Sequence, residues 1–387
     1  MRLAIYAHPF DLEALGEHGG LGRLRELGFT EVAMATSYHD GRWLMPWHPG
    51  GRVRFLEDGA VHYRPTGDYG ELRPLASGFV PPVGASPLEA LCAAALDHDL
   101  SVRAWTVFHH NSRLGSLHPE LCVQNAFGDR YLYALCPAQP AVQAYTHGVV
   151  RDLGRQPGLG AIEFEAFGWM GYKHSSHHDK ASFAPRGLLD RALSLCLCPA
   201  CSERIEAAGG DAAAVRVWAQ QVIGDSVERG DAMAPQVAGD ARAAEALLEP
   251  VMNARAGLVR ELFVACCKLL PATHRRSLQV HPDAAFTGSQ LPAPQAAAAG
   301  PHEVVVTAYG EAPAAIEALL AHDGMQPFAS TARRLSIWPK APQFTSDEDL
   351  MKIRRAAEQH GVQTIAIYHL GLLPWRTIER VAKILGA

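Results

Sequence analysis

No run of about 18 apolar residues occurs in the chain, so no segment reads as a membrane-spanning helix. The opening MRLAIYAHPFDLEALG lacks the long apolar core of a leader, because LAIYA is short and charged residues follow it. Blocks of basic residues are missing too. With a formal charge of −5, neither nucleic acid nor a membrane surface is an expected partner. The eight cysteines form a poor disulfide framework, since Cys266 and Cys267 are adjacent within a helical pattern; reduced thiols in a cytoplasmic protein are expected. Finally, HPFDLEALG, which follows the first β-rich run, holds no glycine-rich phosphate loop, the usual mark of an open nucleotide-binding sheet.

What is present is a large apolar fraction, 48%, enough for a sizeable core, and 19 histidines, each able to titrate near neutrality or bind a metal. Short β-rich runs alternate with helical patterns along the full length. The strands are LAIYAH (Leu3 to His8), EVAMATSYH (Glu31 to His39), VRAWTVFHHN (Val102 to Asn111), AIEFEAF (Ala161 to Phe167), RSLQVHPD (Arg276 to Asp283), EVVVTAYG (Glu303 to Gly310), RLSIWPK (Arg334 to Lys340) and TIAIYHLG (Thr364 to Gly371). Eight such units predict parallel pairing and one α/β domain over residues 1–387, a (β/α)8 TIM barrel, with an open doubly wound sheet as runner-up. SDED predicts a capped start for the seventh helix, and Pro374 suits the start of the eighth. The stretch from Asp40 to Pro87 reads as the largest insertion, a loop over the C-terminal mouth. RVRFLEDGAVHYRP within it alternates around Asp58-Gly59, as a hairpin would.

Barrel active sites are built at the C-terminal strand ends, and side chains alternate along a strand. In strand four, Ile162 and Phe164 suit the helix-facing side, which directs Glu163 and Glu165 inward. A buried carboxylate is costly unless paired or neutralised, so two on one face suggest acid and base, with Glu165 nearer the mouth; an internal salt bridge is the plainer alternative. The same alternation brings His8, His110, His281 with Asp283, Tyr309, Trp338 with Lys340, and Tyr368 to the mouth, with His109 and His369 one register step away. His39, Asn111, Trp169, His174, His177, His178 and Lys180 lie at strand ends or in the following loop and join them as candidate substrate contacts. The HxxHH loop can be read as a metal site with Asp179 or Glu165, as polar substrate contacts, or as a solvated loop.

In SLCLCPACSERIEAAGGD, Cys196, Cys198 and Cys201 have spacings that let three thiolates converge on one cation, with Cys122 or Cys136 as a fourth ligand. A structural zinc and a metal-free reduced cluster are both open. Trp43, Trp47, Trp105, Trp169, Trp338 and Trp375 fall near strand ends or mouth loops, where indole rings suit the apolar faces of sugars, although each taken singly is more often core, and Trp105 reads as core.

AWTVFHHNSRLG, FGDRYLYALCPAQP, EFEAFGW and CLCPAC together resemble a bacterial glycoside-hydrolase-like barrel, and the last is similar to the cysteine cluster of family forty-two β-galactosidases. That resemblance implies a general acid/base glutamate ending strand four, usually after asparagine, and a nucleophilic glutamate ending strand seven. Glu165 fits the first place, but Phe164 precedes it; strand seven ends in IWPKAP, with Lys340 and no carboxylate. The second carboxylate is therefore expected to be Asp283, or Glu311 after strand six, with Glu165 as general acid and His110 and Tyr309 positioning the substrate. Asp283 can equally be read as a cap after HP. The expected partner is a small carbohydrate or glycoside, with no cofactor required beyond the zinc; a homo-oligomer is left open. A metal-dependent sugar isomerase or epimerase using Glu165, His281, Asp283 and a loop histidine is an alternative, as is a non-catalytic carbohydrate-binding barrel.

Overall fold

The computed structural model describes residues 1–174, 180, 183–230, 241–281 and 297–386. Eight parallel strands form the centre: β1 (Arg2–Ala7), β2 (Phe29–Tyr38), β3 (Ser101–Val107), β4 (Ala161–Glu165), β5 (Arg275–Val280), β6 (Glu303–Ala308), β7 (Ala332–Ile337) and β8 (Val362–Ile367). Each pairs with its neighbours in sequence order, and β1 pairs with both β2 and β8, which closes the sheet. The protein is a (β/α)8 barrel ringed by helices. Two helix starts follow from local chemistry. Ser346 accepts a hydrogen bond from the Asp349 N–H while Asp349 accepts from the Ser346 N–H, and Pro374 precedes the helix Trp375–Leu385.

Alternation along the strands decides what fills the cylinder. On β4, Phe164 points outward and packs on Phe263 of the helix Ala241–Lys268, with ring centroids 5.0 Å apart. Glu163 and Glu165 point inward. The lower interior is a layer of charge: Arg103 lies between Glu31 (2.7 Å) and Glu303 (2.8 Å), and Arg334 also reaches Glu303 (3.1 Å). Ser277 donates to Glu303 at 2.9 Å. Burial alone would raise the Glu303 pKa, but Arg103, Arg334 and Arg275 together hold it down to about 2.

The insertion after β2 departs from the expected hairpin. Its antiparallel pair is Gly41–Leu44 with Val53–Leu56, not two arms around Asp58-Gly59. Gly59 instead turns the chain so that Ala60–Val61 pairs antiparallel with Ser37–Tyr38 at the end of β2. A glycine is required there, because φ is +63° and a Cβ would lie 2.2 Å from the Asn111 side chain.

The larger excursion lies between β4 and β5. Its helices Gly187–Leu193, Pro199–Ala207, Ala212–Arg229 and Ala241–Lys268 share a hydrophobic cluster of their own, with Leu189, Val215, Trp218 and Val251 among its members. Read one at a time, these helical patterns give no sign that they bury their apolar faces on one another. No described helix is long and apolar enough to cross a membrane.

Candidate active site

The upper interior is aromatic where the lower is ionic. Glu165 ends β4 half-buried, and the indole N–H of Trp105 from β3 donates to its carboxylate. Burial pushes the Glu165 carboxyl up to about 7; neighbouring Glu163 adds to the rise, while hydrogen bonds from Trp105 and Gln279 oppose it. Beside it the Tyr38 and Tyr368 hydroxyls are hydrogen bonded at 2.9 Å, and the Tyr309 ring lies against Tyr368 with centroids 4.3 Å apart. Trp338 meets the same tyrosine edge-on at 5.3 Å, and the Lys340 ammonium sits 3.1 Å from the centre of the Trp338 ring. The Tyr309 hydroxyl and the Trp338 indole N–H are buried without a hydrogen-bond partner among the described residues.

On the β1 side His8 is 1% exposed, and neither of its ring nitrogens has a hydrogen-bond partner among the described residues. It is packed among Tyr38, Trp43 and His369, with centroids 4.8, 4.5 and 5.4 Å away. Asp11 underlies this group, accepting from the His8 backbone N–H at 2.7 Å and meeting the His48 ring at 2.8 Å. Gly371, just past β8, permits the arrangement: a Cβ there would fall 1.9 Å from the Asp11 carboxylate. The insertion closes this side. Arg54, Phe55, Leu56, Glu57, His62, Gly78 and Phe79 join His8, Phe10 and Tyr38 around a cavity of about 300 Å³.

A third group gathers across the mouth. The His39 ring stacks on His110 at 4.2 Å, and His174 approaches His110 at 5.7 Å. Burial and the neighbouring imidazoles keep His110 and His174 uncharged, lowering the first to about 2 and the second to about 4. His281 lies just past β5, and Lys180 is exposed.

Several expected residues have other roles. Glu163 is fully buried one layer below the mouth, accepting from the Tyr6 hydroxyl at 2.8 Å with Arg103 at 3.9 Å; it is held as an internal charge partner, the plainer of the two expectations. Asn111 caps a helix, its side chain accepting from the Leu114 N–H at 2.9 Å. Trp169 is buried beneath the Arg255 guanidinium, 5.0 Å from its ring centre, beside Cys196 and Cys201 rather than in the cavity. His109 faces the outer helices and meets Thr146 at 3.1 Å. Asp283, His177 and His178, with Asp179, lie outside the described residues.

Trp105 was legible by the alternation that found Glu165, since it follows Arg103 by two positions on β3; its tryptophan identity pointed to core instead. Arg54 and His62 lie in the stretch whose alternation reads as a hairpin, and His48 precedes it; that alternation does not say which of them would face His8.

The cysteines form a separate centre. Cys136, Cys196, Cys198 and Cys201 are buried, with ligand atoms all within 4.8 Å of one another, and they are the sole group so placed for a metal among the described residues. Cys122 stays outside, its thiol directed to the Gly115 and His118 carbonyls. Cys136 Sγ lies 3.5 Å from Cys201, 3.7 Å from Cys196 and 3.8 Å from Cys198. A tetrahedral zinc with Zn–S bonds of about 2.3 Å has edges of roughly 3.8 Å, so the four sulfurs fit it. The Gln124 N–H and the Gln139 side-chain amide donate to Cys196 and Cys198, as thiolates in a metal cage require.

No protein-family model matches the sequence, and no curated protein matches it. Among solved structures, the catalytic domain of beta-amylase from Paenibacillus polymyxa is similar with a TM-score of 0.57 at 8% identity, over 99% of this chain and 97% of that one. What is shared is the barrel. A beta-N-acetylhexosaminidase from Bacteroides fragilis NCTC 9343 is similar more loosely, with a TM-score of 0.47 at 9% identity, over 100% of this chain and 65% of that one. A chitinase from Rhizomucor miehei has a TM-score of 0.44 at 9% identity, over 99% and 100%.

Proposed function

We propose that the protein is a glycoside hydrolase with Glu165 as its general acid. The observation that carries this reading is the state of that carboxyl: it ends a barrel strand at the mouth, and burial raises it to about 7, so it keeps its proton near neutrality. A carboxylic acid protonated at working pH can deliver that proton to the glycosidic oxygen as the anomeric C–O bond breaks. The aromatic wall supports the same reading, because Tyr309, Tyr368 and Trp338 offer faces for a sugar ring while the unpartnered Tyr309 hydroxyl and Trp338 N–H are free to bind its hydroxyls. His110 and His174 are uncharged polar groups on the opposite rim, with His39 stacked on His110. The beta-amylase similarity agrees in architecture.

In this reading the second carboxylate is Asp283, two residues past His281. It either attacks the anomeric carbon, leaving a glycosyl-enzyme that water hydrolyses, or removes a proton from the attacking water. Zinc at Cys136, Cys196, Cys198 and Cys201 is structural: it ties the loop after β3 to the helices after β4 and takes no part in bond cleavage.

The test is turnover of a panel of aryl glycosides by the protein and by Glu165→Gln. The reading requires hydrolysis that the variant loses while sugar binding persists; hydrolysis undiminished in Glu165→Gln overturns it. Hydrolysis lost on metal removal, with Glu165 intact and the fold retained, would instead favour metal-dependent sugar chemistry.

A further inference from the structure

The cavity beneath the insertion is furnished differently from the Glu165 side of the mouth. Its cation is Arg54, whose guanidinium carbon lies 4.5 Å from the Phe10 ring centre and 5.3 Å from that of Phe79. No carboxylate lies within ion-pair distance of it among the described residues, and its buried Nε has no hydrogen-bond partner. The two acids that come near are engaged elsewhere. Glu57, at the rim, accepts from the Gly78 N–H at 3.1 and 3.3 Å, and Asp11 is held by His48 and the His8 backbone. A guanidinium resting against two aromatic rings, with no carboxylate in contact, is placed to receive one from a ligand.

His8 is the second, independent mark of a ligand. It is 1% exposed, lines the same cavity, and leaves both ring nitrogens unsatisfied. His62 lines it as well, with Nδ1 at 2.8 Å from the Ser77 hydroxyl, which leaves Nε2 for another partner. Burial keeps the His8 imidazole uncharged, so Arg54 supplies the positive charge of the cavity. Hydroxyls, which donate and accept, can satisfy the histidines, and a carboxylate on the same ring would pair with Arg54.

We infer that this cavity is a subsite for a carboxylate-bearing sugar, a uronic acid residue, with Arg54 pairing its carboxylate, His8 and His62 binding its polar edge, and Phe10 and Phe79 enclosing it. The volume of about 300 Å³ is that of a small-ligand site. Trp105 joins the two halves of the mouth: its indole N–H faces Glu165, and its ring meets His8 edge-on at 5.8 Å. A glycoside with its acidic ring in the cavity would thus extend toward Glu165. The assignment deepens the glycosidase reading and rests on it for the direction of the chain, but not for the binding of the acid.

The experiment is titration calorimetry of the whole protein with methyl glucuronoside and methyl galacturonoside against methyl glucoside and methyl galactoside, with galactose 6-sulfate as a second anion. The wild-type protein should bind at least one uronoside about tenfold or more tighter than its neutral counterpart, as a charge-assisted pair provides. Arg54→Gln should abolish that preference, and Arg54→Lys should keep part of it, with circular dichroism confirming that both variants are folded. Equal affinity for uronoside and neutral glycoside, a preference that survives Arg54→Gln, or tighter binding of the sulfate ester than of either uronoside overturns the assignment. The two readings fail separately. Arg54-dependent uronoside binding without hydrolysis leaves the subsite standing, whereas equal hydrolysis of neutral and acidic glycosides by the wild-type protein removes the subsite and keeps the enzyme.

Discussion

The lower and upper halves of the barrel interior are built by the same strand alternation and end in opposite states. Below, Arg103 and Arg334 meet Glu31 and Glu303, and the serine of β5 completes the set. Above, Glu165 has an indole for a partner, and His8, Tyr309 and Trp338 keep buried hydrogen-bonding atoms with none. The closed layer pairs opposite charges, although Glu303 Oε1 and Arg334 Nη1 also lack a hydrogen-bond partner among the described residues; around the opening, both His8 nitrogens, the Tyr309 hydroxyl and the Trp338 N–H are left for something that enters. The lesson is that an inward-pointing ionisable residue in a barrel is not functional by orientation alone; the layer it occupies decides.

The largest expected effect breaks the comparison at its top. Glu165→Gln should lower kcat by about 10²–10⁴-fold, the usual worth of a general acid, with little change in unfolding free energy; steady-state hydrolysis beside urea denaturation measures both. Arg103→Ala should do the reverse. It leaves Glu31 and Glu303 short of a counter-ion in the closed layer and should cost about 3–5 kcal/mol of stability in the same denaturation experiment. Removing zinc with a chelator, or replacing Cys136 by serine, should release about one equivalent of metal and lower Tm by at least about 5 °C, read by metal analysis and calorimetry. Wild-type melting unchanged by chelation would mark the cysteines as a metal-free cluster.

Two smaller effects sharpen the contrast through pH. Glu165 is protonated below about 7 and ionised above it, so kcat/KM should fall as pH rises through that value. Because the Trp105 hydrogen bond lowers this pKa, Trp105→Phe should move the alkaline limb upward, by about one unit. The two carboxylates also have opposite linkage signs. Glu165, raised above its unfolded value, contributes stability that is full below about pH 4 and lost as pH rises through 7. Glu303, depressed to about 2, contributes stability that is full above about pH 4 and lost as pH falls through 2. Denaturation curves at several pH values in the wild type, Glu165→Gln and Glu303→Gln separate the two.

Much of the frame was legible in the chain. The eight strands appear where the β-rich runs lie, and Phe164 out with Glu163 and Glu165 in follows from a period of two. What misled was residue type read without depth. Trp105 is fully buried, as core tryptophans are, yet its N–H serves Glu165; Glu163 sits on the same face as Glu165 but two residues deeper, inside the ionic layer. Asn111 and Trp169 follow strand ends in sequence, but one caps a helix and the other packs beside the cysteines. The correct hairpin in the insertion was hidden because its strands are four residues each, too short to establish a period.

By itself the sequence determined the closed parallel sheet, the inward face of β4 and the convergence of three cysteines, because strand period, helical period and short spacings are local properties. Only the tertiary structure decided that Cys136 rather than Cys122 joins the cluster, and that Arg54, brought by a loop from outside the barrel, faces His8. Those pairings join residues far apart in the chain. Their distances are set by how the sheet closes and how the insertion folds across it, which no short stretch of sequence records.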